Sequence, residues 1–318
     1  MRENEYTCRE GDKSDLPELA ELFRRHNFAA NRADILDWKY FKNPDGPAKM
    51  YLGIDSKGAI VATRIYLPRI FTSLKTGDFL VRQSVDLLVA KEHRGSGVYS
   101  KVRELQTEKR DYPAIGLPNE RAKLITRTFP GTKRVYYPLI EWRYPIAPGN
   151  VFQSRPYAMP APLAKGLSRL YTFLWLGKHQ KNIQLIPITR FERDYSLDPH
   201  YIHGVRSAEY LNWRFIDNPL QSYFCHEFVE NGRSLGYCVH QVCDSIAVIF
   251  DLVLTDRKRG CLRALVDQCR SQGITQLAFT CVGFRMRKLG FLKSGKVGDL
   301  DTADTPPGDW LITLADKD

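Results

Sequence analysis

The chain has no CxxC pair, no apolar leader and no hydrophobic run long enough for a bilayer. Its seven cysteines are an odd number, and six of them lie after residue 224. That distribution argues against a disulfide framework and for reduced thiols. The start, MRENEYTCREGDKSD, is polar throughout, so no signal peptide is expected. The run LYTFLWL is far too short for a membrane span. The expectation is a cytoplasmic protein. Acidic charge is also scarce: 36 Asp and Glu stand against 47 Lys and Arg, a formal net charge of +11. Such a surplus favours acidic partners, whether nucleic acid, an anionic membrane, a phosphorylated cofactor or an acidic carrier protein. The basic residues are scattered, as on an ordinary solvated surface. No dense basic–aromatic stripe is present, which places nucleic acid last.

What is present is enough chain for two cores, at 318 residues. The pattern DLPELAELFRRH predicts an amphipathic helix with Asp15 as N-cap and Leu16, Leu19 and Leu22 on one face. ADILDWKYF predicts a second helix that stops at Asn43-Pro44. KMYLGID and AIVATRIYL, joined by a Ser-Lys-Gly turn, predict a hairpin. FLVRQSVDLLVA, a glycine loop, a helix from Val98 to Arg110 and the short strand AIGL predict a parallel βαβ unit. The Pro- and Ala-rich YAMPAPLAKG and a connecting helix in LSRLYTFLWLGK mark a linker.

The first half then recurs. ILDWKYFKNP (35–44) aligns with YLNWRFIDNP (210–219), pairing Trp38 with Trp213 and Asn43-Pro44 with Asn218-Pro219. A second hairpin follows in YFCHEFVENGRSLGYCVHQV, with an Asn231-Gly232 turn. VDLLVAKEHRGSG aligns with FDLVLTDRKRGCL, so that Asp86, Arg94 and Gly95 match Asp251, Arg259 and Gly260, while Gly97 becomes Leu262. Three segments in order argue for tandem domains. The expected boundaries are 1–150, a linker with a helix at 151–183, and 184–318.

A loop that turns backbone N–H groups inward at a helix start is an anion site. Arg94-Gly95-Ser96-Gly97 fits that role, and equally fits a tight strand-to-helix turn. The order helix, helix, hairpin, long strand, RGSG, helix, short strand resembles the GNAT acyltransferases. The family loop matches at Arg94 and Gly97, and departs at Tyr99, where the family has a small residue. LPNERAK resembles the family segment that lines the pantetheine channel, which brings Asn119 forward. RKLGFLKSG resembles the last family helix running into a Gly-Phe strand. The likeness covers about residues 5–145 and, more faintly, 184–300.

The resemblance implies an α+β fold: two GNAT-like domains, each a mostly antiparallel sheet with a parallel βαβ unit. It implies donor contacts from Leu88 and Val89 on the strand, from Arg94, Gly95, Ser96, Gly97, Val98, Tyr99 and Ser100 at the loop and helix start, and from Asn119. The donor would be acyl-CoA, most simply acetyl-CoA, or an acyl carrier protein, and the acceptor an amine of a small molecule or peptide. The acceptor attacks the thioester directly, so no protein nucleophile is needed. Asp86 is the candidate base, although its recurrence as Asp251 favours a structural role. Tyr136 and Tyr137 are candidate acids for the leaving thiolate, or packing aromatics. Gln83 cannot take a proton, and His93 abuts the loop. Cys225, His226, Cys238, His240 and Cys243 fit no structural zinc spacing, so no metal is expected. The alternative reading is a non-catalytic module that senses CoA thioesters or scaffolds an assembly.

Overall fold

The computed structural model describes residues 6–109, 112–120, 122–123, 133–147 and 161–316. The first part of the expected linker, residues 151–160, lies outside them. So does segment 124–132, between Asn119 and the next strand.

Strand β1 (Thr7–Gly11) leads into α1 (Leu16–Arg25) and α2 (Ala33–Phe41). Helix α1 buries Leu16, Leu19, Leu22 and Phe23, as its spacing predicts, and holds Pro in its first turn, where no N–H is needed. Asp15 stands at the N-cap position but makes no cap bond; it pairs with Arg9 and accepts from the Asp12 N–H instead. Helix α2 ends just before Asn43-Pro44. The hairpin of β2 (Lys49–Ile54) and β3 (Ile60–Ser73) follows, then β4 (Gly77–Val89), α3 (Val98–Glu108) and β5 (Ala114–Gly116). Strand β6 (Arg134–Pro145) closes this half.

Beyond α4 (Ala161–Leu176) come β7 (Ile183–Pro187), β8 (Ile202–Gly204) and α5 (Ala208–Leu211), which continues as a π turn over Asn212–Ile216. The second hairpin is β9 (Phe224–Glu230) and β10 (Arg233–Cys243). Its Asn231-Gly232 turn has φ of 50° and 79°, both positive as a tight two-residue turn of this kind requires. Strand β11 (Ile246–Leu254), α6 (Lys258–Ser271) and β12 (Gln276–Cys281) repeat the parallel βαβ unit. The expected last helix in RKLGFLKSG is only a 3₁₀ turn over Met286–Leu289, stopped by Gly290 at φ 84°. It feeds β13 (Leu292–Ala303), and β14 (Trp310–Leu311) pairs with β8.

All fourteen strands of the described residues join one sheet, in the order β1-β2-β3-β4-β5-β13-β6-β12-β11-β10-β9-β7, with β8 and β14 attached through β3. The two halves exchange strands β6 and β13. β13 lies between β5 and β6, and β6 lies between β13 and β12. β6 and β13 are antiparallel to each other, with Leu139 facing Gly298 and Tyr137 facing Leu300. One core fills the space between β2–β4 and α1–α3. Two more lie under α4, α5 and α6 of the second half. A smaller apolar cluster, with Phe71, Ile115, Leu139, Leu300 and Trp310, spans the halves.

Candidate active site

Strands β4 and β5 pair in parallel only at Arg82–Ser84 with Ala114–Gly116. Past Ser84, β4 runs on to Val89 while β5 stops, and the sheet opens. On its other side β4 carries a bulge. Thr63 faces Leu88 and Ile65 faces Val85, so Asp86 and Leu87 together oppose Arg64. Asp86 has φ of 43°, a left-handed conformation that few side chains adopt inside a strand. The Thr63 hydroxyl donates to its carbonyl at 2.8 Å.

The opening is a cleft of about 890 Å³. Asp86, Leu88, Val89, Arg94, Gly95, Gly97, Val98, Tyr99, Ser100 and Asn119 all line it. Of the donor-site candidates only Ser96 stands outside the lining; its hydroxyl donates to the His93 carbonyl at 2.7 Å and faces solvent. Gly95 and Gly97 have φ of 79° and 89°, and Gly97 is the N-cap of α3. A Cβ on either would meet no protein atom within 4 Å. Backbone conformation, rather than a neighbouring side chain, therefore demands glycine here, and the amides at the mouth can be approached closely. The Arg94 guanidinium folds back to the Val89 carbonyl. Beside the mouth lies a hollow of about 420 Å³ with Arg25, His26, Lys91 and Arg94 on its walls.

Tyr99, the departure from the family loop, reaches across the cleft. Arg64 donates to its hydroxyl at 2.5 Å and to that of Tyr66 at 2.6 Å. Burial raises the Tyr99 phenol above its ordinary value, which keeps it a neutral hydroxyl. Arg134 of β6 and Asp301 of β13 form an ion pair on the far wall. Arg64, Arg134, Asp301 and Ala303 escaped the sequence reading. Asp301 and Ala303 come from β13 of the other half, and no local pattern announces that placement.

The two candidate catalytic residues fare differently. Asp86 accepts from Lys39 at 2.6 Å and from the Tyr40 hydroxyl at 2.5 Å, both from α2 and both buried. Its counterpart Asp251 is fully buried, bonded to Arg206, Tyr237 and Thr313. Tyr136 sits on β6 opposite Asp301 in register, outside the cleft lining. Tyr137 donates to the Gly308 carbonyl and packs on Trp310. Gln83 is buried in β4, and His93 lines the cleft with its Nδ1 3.0 Å from the Tyr6 hydroxyl. Burial pushes the thiols of Cys225, Cys261, Cys269 and Cys281 up to about 12.

In the second half the loop is gone. Helix α6 begins at Lys258, so Gly260, Cys261 and Leu262 are helical and buried. A Cβ on Gly260 would lie 2.6 Å from Ile183 Cδ1, so this glycine serves close packing. His226 and His240 stack with ring centroids 5.5 Å apart. The described residues hold no cluster of three or more His, Cys, Asp or Glu able to bind a metal, and no helix among them is long and apolar enough to cross a membrane.

No protein-family model and no curated protein matches the chain. Solved structures do. A conserved protein of unknown function from Enterococcus faecalis V583, named a probable N-acyltransferase, is 10% identical with a TM-score of 0.63, over 93% of this chain and 72% of that one. A GCN5-related N-acetyltransferase from Anabaena variabilis is 9% identical, with a TM-score of 0.62 over the same shares. One from Kribbella flavida is 10% identical, with a TM-score of 0.53 over 94% of this chain and 71% of that one. The α+β architecture of this chain, with its opened β4–β5 pair and its βαβ unit used twice, is the GNAT fold.

Proposed function

We propose that the chain is an acyltransferase that takes an acyl group from a CoA thioester in the β4–β5 cleft and delivers it to an amine. The observation that carries this reading is the opened strand pair with the Gly95/Gly97 loop at its mouth. A phosphorylated donor fits the residues present: two glycines leave amides approachable at the start of α3, and Arg25, Lys91 and Arg94 outnumber Glu92 around the adjoining hollow. The pantetheine arm carries amides, which suit the exposed backbone of Leu88 and Val89 as a ligand strand suits a sheet edge. When bound, the donor supplies an activated carbonyl that an amine attacks directly. The chain's part is to orient it and to offer backbone N–H at the Asp86–Leu87 bulge to the developing oxyanion.

Residues 1–150 act as the donor half and 184–318 as the partner half that completes the cleft through β13. Acetyl-CoA is the simplest donor. An acyl carrier protein is a second source of the same thioester, favoured by the net charge of +11. The cytoplasm, where CoA thioesters and reduced thiols coexist, is the compartment this implies.

A second reading, a thioester-sensing module without turnover, is favoured by one observation. Among the described lining residues the only carboxylates are Asp86 and Asp301, and each is held in an ion pair. Incubation with acetyl-CoA and a panel of amines, read by thiol release, decides between the two. Turnover that Gly97→Leu abolishes supports the enzyme. Donor binding with no thiol release against any amine supports the sensor. No donor binding at all sinks both.

A further inference from the structure

Helix α4 is inside out. It buries Ser168, Thr172 and Leu176, one helical face at i, i+4 and i+8. Ser168 donates to the Ile146 carbonyl, and Thr172 accepts from Arg270 at 2.8 Å. The opposite face carries Leu163, Leu167, Leu170 and Leu174, with exposures of 61%, 45%, 51% and 67%. Their spacing of four, three and four aligns them in one stripe. Phe173 flanks the stripe and is half exposed. Trp175 rests on Gly290, and Tyr171 donates to the Gly290 carbonyl, so the helix is anchored from its sides.

Charge along this stretch of the sequence has one sign. Between Glu141 and Glu192 the sequence contains no Asp or Glu, while Lys165, Arg169, Lys178 and Lys181 fall in α4 or just after it. A shallow hollow of about 580 Å³ beside Phe173 gathers Arg169, Lys178, His179, Arg263 and Arg270 around Asp267, the one carboxylate among its described lining residues. An apolar ridge flanked by Phe173 and, beyond it, by the basic hollow of Arg169 and Lys178 has the chemistry of an interfacial helix. The leucines would enter the acyl boundary and the cations would meet headgroup phosphates.

We propose that α4 docks the protein on an anionic bilayer surface, lying in the interface without crossing it. The test uses the full chain, floated with vesicles of phosphatidylcholine alone or mixed with phosphatidylglycerol. Binding is expected only to the mixed vesicles, and added salt weakens it. The triple change Leu167→Gln, Leu170→Gln, Leu174→Gln is expected to lower partition at least about tenfold. The pair Arg169→Glu and Lys178→Glu keeps the leucines and is expected to erase the preference for anionic lipid. All five side chains face solvent, so an unchanged melting temperature certifies the fold of each variant. Failure of the wild-type chain to float with mixed vesicles overturns the proposal. So does equal flotation of the wild type and the leucine variant. A dimer in sedimentation that the leucine variant abolishes overturns it in favour of a second copy.

Discussion

Trp38 and Trp213 occupy equivalent positions in the two halves, and they stack on each other. Their ring centroids are 5.1 Å apart at an interplanar angle of 25°, and the Trp213 indole N–H donates to the Trp38 carbonyl at 3.1 Å. The repeat thus brings its own two signature residues together where the halves meet. Trp213→Ala is expected to cost about 3–5 kcal/mol in equilibrium unfolding. In a double-mutant cycle, Trp38→Ala and Trp213→Ala should couple by about 1 kcal/mol or more. Additive losses would mean that the two rings act as separate anchors.

Gly97 and Gly260 should separate binding from packing. Gly97→Leu places a branched side chain at φ 89°, in front of the α3 amides. Calorimetry should show CoA affinity down about 100-fold or more, with backbone strain of only about 1–2 kcal/mol. Gly260→Ala should lower stability by about 1–2 kcal/mol through its contact with Ile183 and leave CoA affinity unchanged. Unchanged CoA binding in Gly97→Leu rules out the loop as the phosphate site.

A CoA titration should saturate at one ligand per chain. The second half keeps a cleft of about 630 Å³ beyond β11, with Leu252, Lys258 and Arg285 on its walls, but α6 has absorbed the loop that would meet a pyrophosphate. Two equivalent sites would show that helical Leu262 is no obstacle.

Asp86 should behave as a structural residue. It sits 2.6 Å from buried Lys39, and Asp86→Asn removes a negative charge from beside that ammonium. The expected loss is about 3 kcal/mol of stability, with the pH profile of any turnover keeping its shape. A variant of wild-type stability whose rate no longer depends on pH would make Asp86 the base.

The stacked histidines predict an acid limb in stability. Burial, with a smaller push from His226, lowers His240 from 6.5 to about 4. Its Nδ1 has no hydrogen-bond partner among the described residues. The native state prefers the neutral ring, so the contribution is fully present above pH 6.5 and is lost as pH falls from there to about 4. The loss amounts to about 3 kcal/mol for one group. His240→Phe, packed between Phe224 and His226, should flatten that limb in denaturation measured across pH. An unchanged limb would assign acid sensitivity elsewhere.

Much of the fold was legible because its signals are local. The Asn43-Pro44 stop, the Asn231-Gly232 turn and the glycine loop each sit where the chain bends. The repeat was legible for the same reason. Tyr99 was legible as a departure, but its bond to Arg64 was not, since Arg64 lies a whole strand away. The orientation of α4 was hidden too: an apolar period reveals a stripe, not which way it faces. Least visible was the pairing of β6 with β13. Partners 149 to 169 residues apart leave no trace in either strand's own pattern.

That pairing has a consequence for how such a chain could arise. Each half borrows the strand that fills its own sheet, so residues before α4 would by themselves leave β5 and β6 with nothing between them. Two identical ancestral chains swapping that strand would form a symmetric dimer, and one peptide connection between them would produce the present topology. After fusion the two sheets can no longer be inherited separately. In a fused chain one loop can decay into helix as long as the other still faces a complete wall. Asymmetry of function would have come after symmetry of form.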